Sequence, residues 1–226
     1  MGVGEEDFDS ERLVQDCIAA GDTDVFFPNF WGINLVFNQD LAIGGFATGR
    51  RLTKDGQGRF YGITATMAGI IGDWPSDTQP QTIAHEMGHV FGLPHSSGPY
   101  DRTYDSEWDV MSGVACVVLP DPEYGCVGVH TIAYHKDLLG WIPPARKYVA
   151  HHNSTRTITL ERLAQPGSAG YLMAQIPIGD STTDFYTVEA RLFAGYDDGI
   201  PGEAVVIHKV DTMRGRPAQV VDIVLS

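Results

Sequence analysis

The sequence predicts an α+β protein in which a part of mixed helices and strands is followed by a small all-β module. Three observations support this division: helical spacing of apolar residues near both ends of the first part, β-branched and aromatic runs between them, and a change of texture after Pro143–Pro144. The boundary is therefore placed between residues 1–145 and 146–226. A chain of 226 residues is long enough for one large domain or two small ones.

The first part has three candidate helices and two candidate strands. The apolar positions of residues 8–20 follow a helical spacing, and Ser10 is the expected N-cap. Pro80 suits the first turn of a second helix that we expect to end near Phe91, because Gly92 and Pro94 follow. The remaining predicted elements are a helix over 130–139 and strands over 25–37 and 59–67.

Five short runs in the last third of the chain predict strands. Each run is rich in apolar or β-branched residues and is bounded by Gly, Pro, Asp or Asn. The runs are RTITLERL, YLMAQIPI, FYTVEARLF, AVVIHKV and AQVVDIVL.

The charge balance excludes some partners. Lys and Arg number 15 against 29 Asp and Glu, which gives a formal net charge of −14. A surface with this much negative charge repels phosphate. We therefore expect neither a nucleic-acid partner nor binding to an anionic membrane. No stretch reaches 18 uninterrupted apolar residues, so no membrane span is expected either. The acidic start lacks the features of a signal peptide, so either the protein is cytosolic or its leader is absent from this chain. The cysteines favour the second alternative, and we expect a secreted monomer.

The three cysteines leave the redox state open. Cys116 and Cys126 lie ten residues apart in a loop-like stretch, close enough in sequence to form a disulfide. The alternative is that all three cysteines are reduced. Cys17 is left over and is expected as a buried thiol in the first helix.

Residues 85–95, HEMGHVFGLPH, contain the strongest functional signal. His85 and His89 are four residues apart, so on a helix both imidazoles project from one face and can reach one metal ion. Gly92 allows the sharp turn that would bring His95 round as a third ligand. Three neutral histidines leave the fourth position of a Zn²⁺ ion to water.

Glu86 follows the first of these histidines and is the expected general base. Zinc lowers the pKa of its water from about 15.7 to about 7. Glu86 can accept the proton as this water attacks a carbonyl and can then pass it to the leaving amine. The pattern predicts metal-assisted hydrolysis of an amide bond.

The same segment resembles the metzincin zinc peptidases, whose motif is H-E-x-x-H-x-x-G-x-x-H. Metzincins also have a methionine-containing turn downstream of the third histidine, and EWDVMSG at 107–113 provides one with Met111. The resemblance implies that Met111 forms an apolar floor under the ligands. Some metzincins have a tyrosine two residues after this methionine, where this chain has Gly113. No tyrosine is therefore assigned to the site from the sequence, although Tyr104 could come near it.

The segments YHKDLLGWI and YTVEARLFAGYDDGIPGEAVVIHKVD look like those that follow the catalytic domain in gametolysin and immune-inhibitor-A-like secreted peptidases. This resemblance implies that residues 146–226 are a β-rich accessory module. The resemblance to metzincins also makes the run 59–67 a candidate edge strand for binding substrate by main-chain hydrogen bonds.

The expected function is therefore a zinc-dependent endopeptidase acting on protein or peptide substrates. Two alternatives are an inactive zinc-site module used for binding and a zinc amidase acting on a non-peptide substrate. The presence of Glu86 argues against the first alternative.

Five aspartates are possible Ca²⁺ ligands: Asp101, Asp105, Asp109, Asp197 and Asp198. Solvated loop carboxylates are the simpler interpretation of these residues.

Overall fold

The computed structural model describes residues 9–40, 45–54, 60–70, 79–113 and 128–225. The chain forms two compact units, Met1–Gly92 and Leu93–Ser226. This division falls directly after the helix that carries His85 and His89, whereas the sequence predicts a boundary near residue 145. No helix in the described ranges is long and apolar enough to cross a membrane.

Packing in the second unit explains why Pro143–Pro144 is not a structural boundary. One buried cluster joins Ala133 and Ile142, which precede the two prolines, to Leu172 and Met173, which follow them. A second cluster joins Ile132 to Phe185 in the same way. Residues on both sides of the prolines share a core. The change in the sequence to short β-like runs after the prolines therefore occurs within one unit. The separate roles assigned to 1–145 and 146–226 stay a prediction.

The first unit begins with α1, Ser10–Gly21. Asp9, and not the expected Ser10, is its N-cap, and the Asp9 carboxylate accepts a hydrogen bond of 2.9 Å from the Arg12 backbone N–H. Val14 and Ile18 on α1 are buried against Ala65 and Met67. The predicted strand over 25–37 starts only at residue 32, because Pro28 lies in a short 3-10 turn over Phe27–Asn29.

The sheet of the first unit is built around its longest strand. Its four described strands are β1, β2, β3 and β4, which span Gly32–Asp40, Gly45–Ala47, Arg51–Lys54 and Phe60–Ile70. β1 pairs with β4 in parallel, whereas β2 and β3 pair with it antiparallel. Met67 of β4 pairs with Leu35 of β1 and with Phe46 of β2. The run 59–67 is therefore an interior strand, and the prediction of a substrate-binding edge there is wrong. In the described part of the sheet, β2 lies at the end of the strand order.

The second helix, α2, spans Gln79–Val90 and completes the first unit. The second unit contains α3, Ala133–Leu138, which starts three residues later than the helix expected from residue 130. Its sheet has five strands in the order β5-β6-β7-β8-β9. Their bounds are Lys147–Val149, Met173–Pro177, Asp184–Arg191, Ala204–Asp211 and Ala218–Leu225.

Four of the five predicted runs of the tail are strands, and β5 was not predicted. The fifth run, RTITLERL, forms only isolated bridges, between Leu160 and Tyr171 and between Arg162 and Ala190. The side chain of Glu161 in this run bonds to Arg146 and to the backbone N–H of Ser168.

Candidate metal centre

The helix α2 places His85 and His89 on one face. The two residues are one turn apart, and their Nε2 atoms lie 3.1 Å from each other. The imidazole planes are nearly perpendicular, with ring centroids 4.7 Å apart. Two ring nitrogens that converge in this way can bind the same metal ion.

Gly92 ends the helical path directly after these residues. Its backbone N–H donates to the carbonyl oxygen of His89 at 2.9 Å, and its φ of +89° lies in the left-handed region that favours glycine. The chain turns there, and His95 follows three residues later. One ring nitrogen from each of His85, His89 and His95 lies within 4.8 Å of the others, so these three residues are close enough to hold a metal ion.

Glu86 directly follows His85 on α2 and is buried, with 8% of its surface exposed. Burial raises the pKa of its carboxyl to about 7, because removal from water disfavours the charged form. A cation bound nearby would favour the carboxylate again. Strand β2 approaches this side chain closely: a Cβ atom added to Gly45 would lie 2.5 Å from Glu86 Oε1.

The segment that carries the third histidine is fixed by the turn at residues 109–113. The Ser96 backbone N–H donates to the carbonyl oxygen of Met111 at 3.3 Å. The Ser96 hydroxyl donates to Asp109 Oδ2 at 2.6 Å. Met111, predicted as a floor for the ligands, is fully buried. Its backbone thus contacts the residue that directly follows His95.

Asp109 is the centre of this hydrogen-bond network. Besides Ser96, it accepts hydrogen bonds from the Met111 backbone N–H at 3.1 Å and from the Thr131 hydroxyl at 2.9 Å. His135 Nδ1 lies 3.1 Å from Asp109 Oδ2, and both side chains are fully buried. Burial alone would raise the pKa of Asp109, but His135 and the hydrogen bonds outweigh it and hold this pKa well below its ordinary value.

Ser97 connects the same segment to the five-stranded sheet. Its backbone N–H donates to the Ala218 carbonyl at 2.9 Å, and its carbonyl accepts from the Val220 backbone N–H at 2.9 Å. Ala218 and Val220 belong to β9. The chain following His95 is therefore hydrogen-bonded on one side to the 109–113 turn and on the other to β9.

A tyrosine contacts the third histidine from a neighbouring loop. The rings of Tyr104 and His95 meet edge to face, with centroids 5.2 Å apart and planes at 76°. Tyr104 has a φ of +64°, a left-handed conformation that is unusual for a non-glycine residue. At Gly113 a Cβ atom would lie 2.8 Å from the carbonyl oxygen of Ser106, so the turn has no room for a side chain there. An aromatic ring reaches His95 from position 104 and not from position 113.

Four of the five aspartates considered as calcium ligands have other partners: Asp101, Asp105, Asp109 and Asp197. Asp101 pairs with the Arg214 guanidinium at 2.6 and 2.7 Å. Asp105 accepts backbone hydrogen bonds from Tyr100 at 3.1 Å and from Arg102 at 3.2 Å, and so shapes its own loop. In the described ranges, the three histidines are the one group of three potential ligands close enough to hold a metal ion.

Asp197 belongs to a buried ion network around Arg191 of β7. The Arg191 guanidinium donates to both Asp197 oxygens, at 2.6 and 2.8 Å, and to Glu189 Oε1 at 2.9 Å. It also donates to the carbonyl oxygen of Trp108 at 2.6 Å. All three charged side chains are fully buried. The network holds the residue before Asp109 against the five-stranded sheet.

The possible disulfide between Cys116 and Cys126 lies outside the described residues. Cys17 is a free, partly buried thiol on α1. Sequence reasoning missed the parts played by Gly45, Ser96 and Arg191, and considered Asp109 only as a calcium ligand. The Ser directly after the third histidine was the one visible hint, because a buried hydroxyl needs a partner.

No protein-family model, no curated protein and no solved structure matches this chain.

Proposed function

We propose that this protein is a zinc-dependent endopeptidase. The observation that carries the proposal is the convergence of three histidine ring nitrogens within 4.8 Å beside a buried glutamate that is not itself a member of the ligand group. This combination suits hydrolysis at a metal centre with an open coordination position. The resemblance of HEMGHVFGLPH to the metzincin motif supports the same class. The resemblance of YHKDLLGWI and YTVEARLFAGYDDGIPGEAVVIHKVD to segments of secreted peptidases supports an extracellular setting.

The donor set and its spacing fit zinc. Three imidazoles with one position left for solvent are a known ligand set of catalytic zinc. Two nitrogens bound tetrahedrally at about 2.0–2.1 Å from one zinc ion lie about 3.3 Å apart. The observed separation of 3.1 Å between the Nε2 atoms of His85 and His89 is close to this value.

Glu86 is the residue proposed to move the proton. Bound zinc would polarise the scissile carbonyl and make a water molecule more acidic. The Glu86 carboxylate accepts the proton of the attacking water and returns it to the leaving amine. A carboxylate held beside the reacting groups can carry out both transfers. Because position 45 has no side chain, this carboxylate lies directly against the backbone of β2.

The same strand suggests a peptide as the substrate. β2 is at the end of the described sheet order, and an edge strand presents N–H and C=O groups to an extended chain. A peptide lying along Gly45–Ala47 would pass the Glu86 carboxylate. This arrangement favours a protein substrate over a small non-peptide amide, and a positioned Glu86 favours catalysis over simple binding.

Digestion of casein or gelatin tests the proposal. We expect cleavage that a strong chelator abolishes and that added Zn²⁺ restores. Failure to cleave any protein or peptide substrate while one zinc ion is bound per chain would leave the binding module or the non-peptide amidase as the function.

A further inference from the structure

We propose that Asp109 is a positioning residue for the third ligand, His95, and that it acts through Ser96 and Met111. This inference rests on the proposed metal centre and extends it to a carboxylate that contacts neither metal nor substrate. The carboxylate lies fourteen residues further along the chain, within the same unit of the fold.

His95 needs such support because it lies outside regular structure. The helix that holds the first two histidines ends at Val90, and Gly92 turns the chain away. Helical hydrogen bonds therefore fix His85 and His89 but not His95. The hydrogen bonds of the residues that follow His95 therefore help to fix its backbone.

The hydroxyl of Ser96 provides the stronger of two local constraints. Its hydrogen bond to Asp109 measures 2.6 Å, whereas the bond from the Ser96 backbone N–H to Met111 measures 3.3 Å. The first bond ends on a carboxylate in a site without solvent access, and charge-assisted bonds of this kind are about twice as strong as neutral ones. The Met111 backbone N–H is held by the same carboxylate. Asp109 thus fixes both partners of the weaker bond.

The carboxylate is itself immobilised from all sides. Oδ1 accepts from Met111 and Thr131, and Oδ2 contacts Ser96 and His135. Asp109 and His135 are 0% exposed, so no water competes for these positions. A rotation of the Asp109 side chain would break four contacts together.

The constraint continues into the five-stranded sheet. Arg191 of β7 binds the carbonyl oxygen of Trp108, the residue before Asp109. β9 binds the backbone of Ser97, the residue after Ser96. The sheet that sequence analysis expected as a separate accessory module is the framework on which the third ligand is held.

Zinc affinity of the folded protein tests the proposal. Purified wild type, Ser96→Ala, Ser96→Thr and Asp109→Asn are stripped of metal and titrated with Zn²⁺ against a competing chromophoric chelator. Loss of a group that orients a ligand typically weakens metal binding by about 10–100-fold. We expect a weakening in this range for Ser96→Ala and Asp109→Asn, with affinity recovered in Ser96→Thr. Ser154→Ala, whose hydroxyl bonds an exposed backbone carbonyl, is the matched control and should bind as wild type does.

Co²⁺ substitution distinguishes positioning from general stability. A merely structural role would lower the denaturation midpoint of the metal-free protein and leave the visible Co²⁺ spectrum unchanged. A positioning role predicts an altered Co²⁺ spectrum in Ser96→Ala, because the His95 ring nitrogen is then displaced relative to the metal ion.

The outcomes separate the two proposals. Wild type that binds no Zn²⁺ overturns the metal centre and this inference together. Wild type that binds Zn²⁺ while Ser96→Ala keeps its affinity and Co²⁺ spectrum overturns the positioning role alone. If Asp109→Asn does not fold, the result for Ser96→Ala decides.

Discussion

Gly45 lies directly against the carboxylate of Glu86. A Cβ atom at position 45 would lie 2.5 Å from Glu86 Oε1 and 2.6 Å from Thr82 Cγ2. Both distances are far below a van der Waals contact, so even the smallest side chain would displace the carboxylate or the strand. Position 45 therefore has no room for a side chain where β2 passes Thr82 and Glu86 of α2.

The first prediction is that Gly45→Ala loses activity and keeps its metal. A catalytic group misplaced by about 1 Å costs about a hundredfold in rate. We expect a fall of that size in kcat, measured with a quenched fluorescent peptide, at unchanged zinc content. Gly49→Ala is the matched control, because no atom lies within 4 Å of a Cβ at that position. Equal activity in the two variants would contradict the close approach.

The second prediction concerns the ring of Tyr104. Edge-to-face aromatic pairs contribute about 0.5–1.5 kcal/mol, so Tyr104→Ala should weaken zinc binding by about 3–10-fold. Tyr104→Phe keeps the ring that contacts His95 and should keep the affinity. Tyr100→Ala removes a more exposed tyrosine of the same loop and serves as control. If Tyr104→Ala bound zinc as tightly as Tyr100→Ala, the ring contact would have no role in holding His95.

The third prediction is a loss of stability in acid that depends on Asp109. The pKa of this carboxyl is lowered in the folded protein relative to about 3.9 in an unfolded chain. Its contribution to the free energy of unfolding is therefore complete above about pH 4 and is lost as the pH falls through and below that value. Urea unfolding of the metal-free protein between about pH 5 and pH 2 should show this slope. In Asp109→Asn the slope should be shallower, although the variant is less stable at neutral pH. Parallel curves would contradict the assignment.

The fourth prediction concerns the buried ion network. Arg191→Met would leave Glu189 and Asp197 buried without their cation, which typically costs about 3–5 kcal/mol. The half-exposed pair of Arg214 with Asp101 is the comparison. Exposed pairs contribute about 0–1 kcal/mol, so Arg214→Met should change the free energy of unfolding far less. Chemical denaturation of both variants measures the free energy of unfolding. Equal losses of this free energy in the two variants would contradict the role of Arg191 in the buried network.

The helix that carries His85 and His89 was predictable because its signals are local. The bounds Gln79–Val90 agree with an expectation built on Pro80, Gly92 and Pro94. The spacing of the histidines needs only helical geometry and one glycine turn. The ring nitrogens of His85, His89 and His95 accordingly converge as the sequence predicts.

What sequence reasoning missed depends on contacts between distant residues. Nothing near Gly45 in the sequence indicates Glu86, forty-one residues further on. Asp109 was considered as a calcium ligand because its spacing from Asp101 and Asp105 is regular, but its partners Ser96 and His135 come from other segments. The boundary near Pro143 followed from texture, which does not reveal that Ala133 and Met173 share a core.

The variant Glu86→Gln tests the central claim most directly. It keeps the size of the side chain but cannot accept a proton, and positioned acid–base catalysis contributes about 10²–10⁴-fold. Zinc content, circular dichroism and peptide turnover are measured on one preparation, with His85→Ala as the variant expected to lose zinc and activity together. The account predicts that Glu86→Gln keeps its fold and one zinc ion per chain and loses at least about a hundredfold in turnover. Turnover close to that of the wild type, with zinc in place, would contradict it.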